Sequence, residues 1–486
     1  MNQSIVPTLC RYIIAICLFI VPLKILEQGY LPADDALRHA AKVISGKSWD
    51  QILVLSDKIK TDTHPGWHSI LELVHKTTGC DQFGLAGFSV IMLFFIFCFV
   101  TLLFLEFPES WFLALLTISL VNDHFVYRIF SGRPYIFTMS ALLCLCFLWP
   151  KLKTDRPPYR VLLLLTLLIA LSVWIHGTWY LFILPVSCFF LAKEYKAGLR
   201  LSIVSAIGII LGAVLSGHPK LFLSQNITQA LLIFGSNTPQ RMLAYEFQPF
   251  EGDVLTVIIV CGILLWSYGR QRWNVSKIYN PLFLLALMGW FLGFLSKRFW
   301  WDWGMPAVCV WMSQEYQSLL KEKFNKPSLT RLVVALFLAI VVYSVLTSDV
   351  HYRWSDRVAT TYLDYNKLEH RKLLPQPGGI IYSADMSIFY QTFFKNPDAP
   401  WRYVLGFEPS WMRQDDLKIY RNIHKSFFKG SSYAPWVKKM KPEDRLIVRK
   451  AKYEPPEIPG LVWYYLPDTI WIGKLPGQSD NPIGRR

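Results

Sequence analysis

Residues 85–105 read LAGFSVIMLFFIFCFVTLLFL and contain no charged side chain. A helix of roughly 20 apolar residues is long enough to cross the hydrocarbon core of a bilayer, so this stretch predicts a transmembrane helix. Similar segments recur along the chain, and together they predict a polytopic α-helical membrane protein with about eleven spans. The other segments lie near residues 10–29, 109–124, 134–150, 160–175, 178–193, 200–217, 253–268, 280–296, 303–317 and 330–347.

The composition divides the chain into two parts. Hydrophobic residues make up 53% of the 486 residues and charged residues only 17%, whereas a soluble domain carries about a quarter charged residues. The deficit is concentrated in the apolar segments, while the last part of the chain has an ordinary polar composition. We therefore expect a membrane domain over residues 1–348 and a soluble α/β domain over residues 349–486.

Short runs in the C-terminal part alternate between strand and helix patterns. Five runs are rich in β-branched and aromatic residues, which is typical of strands. Two longer segments have helical periodicity, and no nucleotide-binding glycine fingerprint is present. The predicted strands are 379–382, 403–406, 445–448, 462–466 and 470–474, and the predicted helices are 385–394 and 414–428.

Basic residues set the expected orientation. The net charge is +16, and cations collect in alternate loops near residues 151–160, 193–200, 270–277 and 321–331. By the positive-inside rule these loops face the cytoplasm, which leaves the N-terminus cytoplasmic and both the 30–84 loop and the C-terminal domain extracytoplasmic. A cationic surface beside a bilayer suits membrane lipids, and no basic domain indicates a nucleic-acid partner. We expect a bacterial inner membrane, because the first apolar run lacks a cleavage site and no other targeting signal follows.

The 30–84 loop opens with an acidic pair. The sequence Leu31-Pro32-Ala33-Asp34-Asp35-Ala36-Leu37-Arg38-His39-Ala40 directly follows the first apolar segment. Its apolar positions predict an amphipathic helix, so both carboxylates lie at a helix start beside the membrane surface. Aspartate there caps the helix and complements its dipole. The pair alone leaves two interpretations open, helix capping and a catalytic site.

This arrangement resembles the GT-C superfamily of integral membrane glycosyltransferases. Its members have a cytoplasmic N-terminus, one span and then a large external loop that starts with an acidic pair, and many end in a soluble external domain. Asp34 and Asp35 match that pair in position and type. The resemblance implies an inverting enzyme that uses a polyprenyl-phosphate-sugar donor, with Asp34 or Asp35 as the base. It leaves open whether the acceptor is a glycolipid or other lipid, a glycan or a protein, and whether a divalent metal takes part.

Cations and a histidine near the predicted external ends of the spans are candidates for binding the donor phosphate. Arg298, within Ser296-Lys297-Arg298-Phe299, resembles an arginine that faces the lipid phosphate in several members of the superfamily. The planar guanidinium pairs well with phosphate oxygens. Arg133, Arg241 and His176 are further candidates. An aromatic belt with snorkelling cations would produce the same pattern.

A second motif in the same loop, TDTHPGWH, contributes candidate pocket residues. His64 and His68 have the spacing of a helical zinc pair. Pro65 and Gly66 oppose a continuous helix, and no metal site is predicted here. We expect His64, His68 and Trp67 to line the pocket, with Trp67 either stacking on a sugar or anchoring at the interface.

Two other functions fit the composition. A transporter or flippase for a lipid or a lipid-linked sugar commonly shows internal repeats and polar residues at mid-membrane. The sequence shows no repeat, and its polar residues cluster at one face. A non-catalytic scaffold would explain the C-terminal domain but not the acidic pair with its external arginines and histidines. Exchange of the two aspartates for asparagine distinguishes the enzyme from both alternatives.

Overall fold

The protein is mostly helical and ends in a five-stranded sheet. The computed structural model describes residues 5–32, 34–234, 245–270, 274–324, 328–355, 363–450, 454–466 and 470–477. The helices of the N-terminal part are α1 (Val6–Glu27), α2 (Asp35–Ser45), α3 (Trp49–Ile52), α4 (Pro65–Thr78), α5 (Gln82–Leu102), α6 (Glu109–Val121), α7 (Asp123–Ile129), α8 (Tyr135–Lys153), α9 (Tyr159–His176), α10 (Ile183–Leu191), α11 (Tyr195–Leu215), α12 (Pro219–Phe234), α13 (Val254–Gly269), α14 (Pro281–Gly293), α15 (Lys297–Phe299), α16 (Met305–Lys323) and α17 (Leu329–Thr347).

The C-terminal part follows α17 and contains every strand of the described sheet. Its elements are α18 (Leu368–Arg371), β1 (Ile380–Tyr382), α19 (Met386–Lys395), β2 (Arg402–Tyr403), α20 (Gln414–Lys425), α21 (Ala434–Lys439), β3 (Arg445–Arg449), β4 (Val462–Leu466) and β5 (Ile470–Lys474).

The apolar segments predicted from the sequence all coincide with helices, which confirms an integral membrane protein. Within the described ranges, six helices have the length and composition to cross a membrane, namely α1, α5, α8, α9, α11 and α17. Helices α6, α13 and α14 are apolar but shorter, as is α10 together with the turn of 3₁₀-helix before it. A helix of fewer than about 17 residues crosses the bilayer only where the bilayer thins. The predicted count of about eleven spans is therefore not confirmed.

Small residues let two of the long helices approach closely. Gly208 and Gly212 lie one turn apart on α11 and face α9. A β-carbon on Gly212 would lie only 2.4 Å from the backbone oxygen of Ala170, and one on Gly208 only 2.8 Å from that of Thr166. Such spacing of small residues drives helix packing where lipid supplies no hydrophobic force between helices. The pair fixes α9, whose last residue lies at the site described below.

The 30–84 loop forms three helices rather than an irregular segment. Asp34 is the N-cap of α2, and its side chain accepts a hydrogen bond from the backbone nitrogen of Asp35. The predicted amphipathic stripe is present, since Ala36, Leu37 and Ala40 are fully buried. His64 is the residue before α4, which begins at a proline, as expected where the first N–H of a helix needs no partner. The two motif histidines thus do not share a continuous helix.

The C-terminal sheet has the strand order β2-β1-β3-β5-β4. Strands β2, β1 and β3 are parallel, and β3, β5 and β4 pair antiparallel. All five predicted strands and both predicted helices are found within a few residues of the expected positions. The α/β prediction is therefore confirmed, while the boundary near residue 348 stays a prediction.

The 30–84 loop joins the edge of this sheet. The backbone nitrogen of Val54 donates to Tyr403 in β2 at 2.9 Å, and that of Ser56 donates to Trp411 at 2.8 Å. Helix α19 packs against α2, and one hydrophobic core includes buried residues from both, such as Leu37 and Phe389. The C-terminal part is therefore held over the acidic pair.

Candidate active site

A cavity of about 680 Å³ lies where the loop helices, the ends of the membrane helices and the C-terminal part meet. We call the lining residues between positions 34 and 298 the membrane wall, and those between positions 383 and 449 the C-terminal wall. Six of the predicted site residues line the cavity. They are Asp34, Asp35, His64, Arg133, His176 and Arg298.

Asp34 forms a bidentate ion pair with Arg133. The Nε and Nη2 atoms of Arg133 donate to the two carboxylate oxygens of Asp34, each at 2.7 Å. Arg133 stands in the turn before α8, directly after Gly132, which has a φ of +62°. A β-carbon on Gly132 would lie 3.0 Å from that of Ala36, so this glycine permits the turn to approach α2. Both oxygens of Asp34 are thereby occupied.

Asp35 keeps one carboxylate oxygen open. Arg38, one helical turn further on, donates from Nε to Oδ1 at 2.7 Å, and the Tyr390 hydroxyl donates to the same oxygen at 3.2 Å. Oδ2 has no hydrogen-bond donor in the described part of the chain, and Nε of Arg133 approaches it only to 4.0 Å. Burial raises the pKa of Asp35, but Arg38 and Arg133 outweigh it and hold that pKa well below its usual value.

A second ionic cluster joins residues of the membrane wall to the buried Asp302. Arg128, only 6% exposed, donates from Nε and Nη2 to Asp302 at 2.7 Å each and from Nη1 to Glu246 at 2.8 Å. Glu246 also pairs with Arg133, so the cluster continues to the acidic pair. Asp302 lies in the π-helical turn Trp300–Gly304, a rare element that often occurs at functional sites.

Arg298 stands at the cavity edge of this cluster. Its Nε donates to Asp302 at 3.1 Å, and its Nη2 is 3.4 Å from Nε2 of His176. Its guanidinium carbon lies 4.7 Å from the centre of the Tyr135 ring, a cation–π contact. Its Nη1 makes only a 3.8 Å ion pair with Glu246. Arg298 therefore retains an N–H group for a ligand.

The histidines of the 30–84 loop form a chain behind the cavity. His64 lines the cavity, whereas His68 lies behind it with its Nε2 2.8 Å from Nδ1 of His39. The other nitrogen of His68 contacts the Asp62 carboxylate. Burial and the charge of Arg38 lower the pKa of His39 well below its usual value, and burial lowers that of His64 to about 3.

Two further predictions about pocket residues have different outcomes. Trp67 is fully buried and does not line the cavity. Arg241 lies outside the described residues. No group of three or more His, Cys, Asp or Glu side chains in the described ranges could hold a metal ion.

Several site residues were not singled out from the sequence. Arg38 and Asp35 have the three-residue spacing of a helical ion pair, which was a usable signal. Arg128, Glu246 and Asp302 were not singled out, because Arg128 pairs with Asp302 and Glu246 across 174 and 118 positions. Further residues that only the structure reveals are Tyr135, Asp385, Tyr390, Glu408, His424, Phe428 and Arg449.

Comparison with known proteins shows which class of structures has a similar fold. No protein-family model matches the chain, and no curated protein sequence is similar to it. Two solved structures that it resembles are GT-C superfamily membrane glycosyltransferases. One is the arabinofuranosyltransferase AftD from Mycobacteria, with a TM-score of 0.52 and 13% identity over 97% of this chain. The chain spans only 40% of the length of that enzyme.

A second similar structure is the oligosaccharyltransferase of Archaeoglobus fulgidus, tethered to an acceptor peptide. Its TM-score is 0.46 and its identity 13%, covering 89% of this chain and 68% of that one. At such identities the likeness concerns the fold alone. The resemblance to GT-C enzymes suggested by the acidic pair is thus confirmed at the level of architecture.

Proposed function

We propose that the protein is an inverting membrane glycosyltransferase that moves a sugar from a polyprenyl-phosphate-linked donor to an extracytoplasmic acceptor. The GT-C-type fold supports the class of reaction. The observation that carries the proposal is Asp35, an ionised carboxylate with one open oxygen, in a cavity lined by five arginines. The membrane, the donor and the acceptor are the partners this reaction requires.

Asp35 is the better candidate for the base. During transfer, an acceptor hydroxyl oxygen forms a bond to the anomeric carbon while the bond from that carbon to the phosphate oxygen breaks. The hydroxyl proton passes to the open Oδ2 of Asp35, and the phosphate leaves with the bonding electrons. Both oxygens of Asp34 are already held by Arg133, so Asp34 positions Arg133 and caps α2. A single displacement of this kind inverts the anomeric centre.

Arg298 is the candidate for binding the donor phosphate. Of the other arginines of the membrane wall, Arg128 is saturated by Asp302 and Glu246, and Arg133 by Asp34 and Glu246. Arg38 is paired with Asp35, and its unbonded Nη1 is fully buried. Only Arg298 combines 13% exposure with an N–H group that has no close acceptor among the described residues. A charge-assisted bond to the leaving phosphate stabilises the charge that develops as the bond breaks.

The carboxylates of the membrane wall are paired with arginines rather than grouped as metal ligands. We therefore assign stabilisation of the phosphate charge to arginine. By the positive-inside distribution of lysines and arginines, we place the cavity on the extracytoplasmic side, with the N-terminus in the cytoplasm of a bacterial inner membrane.

The test is sugar transfer by the purified protein, with a panel of radiolabelled polyprenyl-phosphate sugars and water or glycans as acceptors. Asp35→Asn should lower turnover by roughly 10²–10⁴-fold, the usual contribution of a general base. Asp57→Asn is the matched control, because Asp57 is an exposed aspartate of the same loop that does not line the cavity. NMR of the product should show an inverted anomeric centre.

Three results would count against these assignments. If wild-type protein neither binds nor turns over any donor of the panel, the glycosyltransferase proposal fails. If Asp34→Asn abolishes turnover while Asp35→Asn retains it, the base is Asp34. Turnover that rises on addition of a divalent cation and falls with a chelator would contradict the arginine assignment.

A further inference from the structure

The C-terminal wall has a different chemistry from the membrane wall. Aromatic side chains are its largest group, and Arg449 is the single lysine or arginine that lines it within the described ranges. A phosphate would therefore find little positive charge here. The aromatic side chains of this wall are Tyr390, Phe407, Trp411, Tyr420, His424, Phe428 and Tyr433.

Three of these rings, Tyr420, His424 and Phe428, contact one another in sequence, and we call this row the aromatic ladder. Tyr420 is 2% exposed, and its ring lies 4.3 Å from that of His424, which in turn lies 4.7 Å from that of Phe428. His424 is also tied to the loop before α19, with Nε2 3.3 Å from the backbone oxygen of Ala384. Phe428 is 53% exposed and ends the ladder at the cavity.

The backbone holds Phe428 in place by an uncommon conformation. Phe427 and Phe428 have φ angles of +51° and +60°, a left-handed region that side chains with a β-carbon rarely adopt. Two such residues in succession persist only where the surrounding structure imposes them, and such strain collects at functional sites. Of the two exposed neighbours, only Phe428 lines the cavity.

Polar groups lie beside the ladder in the same wall. Asp385 caps α19 and faces Arg449, whose Nε is 3.8 Å from its carboxylate and has no hydrogen-bond acceptor in the described part of the chain. Glu408 lines the cavity next to Phe407. An apolar ring with carboxylates and a guanidinium nearby matches a sugar, which presents C–H groups on one face and hydroxyl groups at its edge.

We propose that the C-terminal wall is the acceptor subsite and that it binds a carbohydrate, with the sugar ring stacked on Phe428 and its hydroxyl groups bonded to Asp385, Glu408 and Arg449. The assignment of this wall as the acceptor subsite depends on the proposed function, whereas carbohydrate binding by this wall does not. Donor phosphate and acceptor sugar would then occupy opposite walls, with Asp35 between them.

The experiment measures binding of a panel of methyl hexosides and pentosides to the full-length protein in detergent, by saturation-transfer NMR and titration. A parallel panel of short neutral peptides represents a protein acceptor. Wild-type protein should bind at least one glycoside. Phe428→Ala should weaken that binding by about five- to thirty-fold, the loss typical of removing one stacked ring, and Phe428→Tyr should retain it.

Phe427→Ala is the matched control, because it removes a neighbouring exposed ring with the same backbone conformation. It should change glycoside binding by less than two-fold. The proposal is overturned if wild type binds no glycoside, if Phe427→Ala weakens binding as much as Phe428→Ala, or if only peptides bind in a Phe428-dependent manner. Glycoside binding without any donor turnover by wild type would leave the subsite standing and reject the glycosyltransferase proposal.

Discussion

The two walls of one cavity differ in how they use charge. In the membrane wall, four arginines form a nearly continuous network with Asp34, Asp35, Glu246 and the adjoining Asp302. Arg128, Arg133 and Arg298 all reach Glu246 or Asp302. In the C-terminal wall, aromatic rings dominate and the ionised groups are few. The first arrangement is pre-organised for a phosphate, because its dipoles and charges are fixed before a ligand arrives. The second suits a neutral, polyhydroxylated ligand, and each prediction below tests one side of this contrast.

The largest effect on stability is expected from breaking the buried network. Arg128→Met removes one cation from Asp302, which is 1% exposed, and leaves that carboxylate with Arg298 as its one ion pair among the described residues. Removing one partner of a buried ion pair typically costs about 3–5 kcal/mol. The apparent free energy of unfolding in detergent, followed by intrinsic fluorescence, should fall by that order.

Two further variants show whether burial causes the loss. The exposed pair Lys321–Glu106 is the matched control, since Lys321→Gln should cost less than about 1 kcal/mol. Adding Asp302→Leu to Arg128→Met removes both charges and should recover part of the stability. Equal losses for the buried and the exposed pair would show that the membrane wall is open to water.

Local patterns in the sequence predicted much of this fold. Hydrophobic runs indicated each of the six helices that can cross a membrane, and runs rich in β-branched and aromatic residues located the five described strands, because both signals arise from residues a few positions apart. The junction between loop and sheet was not predictable in this way. The pairing of Val54 with Tyr403 brings together residues from opposite ends of the chain, and it gives no local signal.

The same limit applies to the site. Asp34 and Asp35 were found because they are adjacent and follow a span directly. Their different roles depend on Arg133 and Tyr390, which are 99 and 355 positions away. Which oxygen is open, and therefore which aspartate suits the role of base, is a property of three-dimensional packing.

An intermediate effect is expected at the edge of the membrane wall. Arg298→Gln removes the guanidinium that we assign to the donor phosphate, so the KM for the donor should rise roughly 10- to 100-fold, in line with about 1.5–3 kcal/mol for a bond to a charged group. Arg298→Lys should recover part of this, because lysine supplies charge but not the planar fork.

Lys220→Gln serves as the control, since Lys220 is an exposed cation at the start of α12 that does not line the cavity. It should leave the donor KM within two-fold of wild type. A fall in kcat with an unchanged KM for Arg298→Gln would mean that this arginine acts only in the transition state. No change in either constant would remove Arg298 from the site.

The smallest effect is expected in the C-terminal wall, where burial raises the pKa of Glu408 from 4.5 to about 7. Between these values the folded protein binds a proton that the unfolded chain has released. The contribution of Glu408 to stability is therefore fully present below pH 4.5 and is lost as the pH rises through 7. Glu408→Gln removes this dependence, and at pH 8 it should be more stable than wild type by roughly 1–2 kcal/mol, since the side chain is only half-buried.

The measurement is denaturant unfolding of both proteins in detergent from pH 4.5 to 8.5. Glu369→Gln, at an exposed glutamate of the same domain, should instead give a curve parallel to that of wild type. A Glu408→Gln curve that is also parallel to wild type would mean that Glu408 titrates normally in water. The C-terminal wall would then tolerate charge as readily as the membrane wall does, and the contrast between the two walls would reduce to their aromatic content. A difference in stability that grows between pH 4.5 and 7 and levels off above pH 7 would instead show that this wall disfavours ionised groups, as a subsite for a neutral sugar requires.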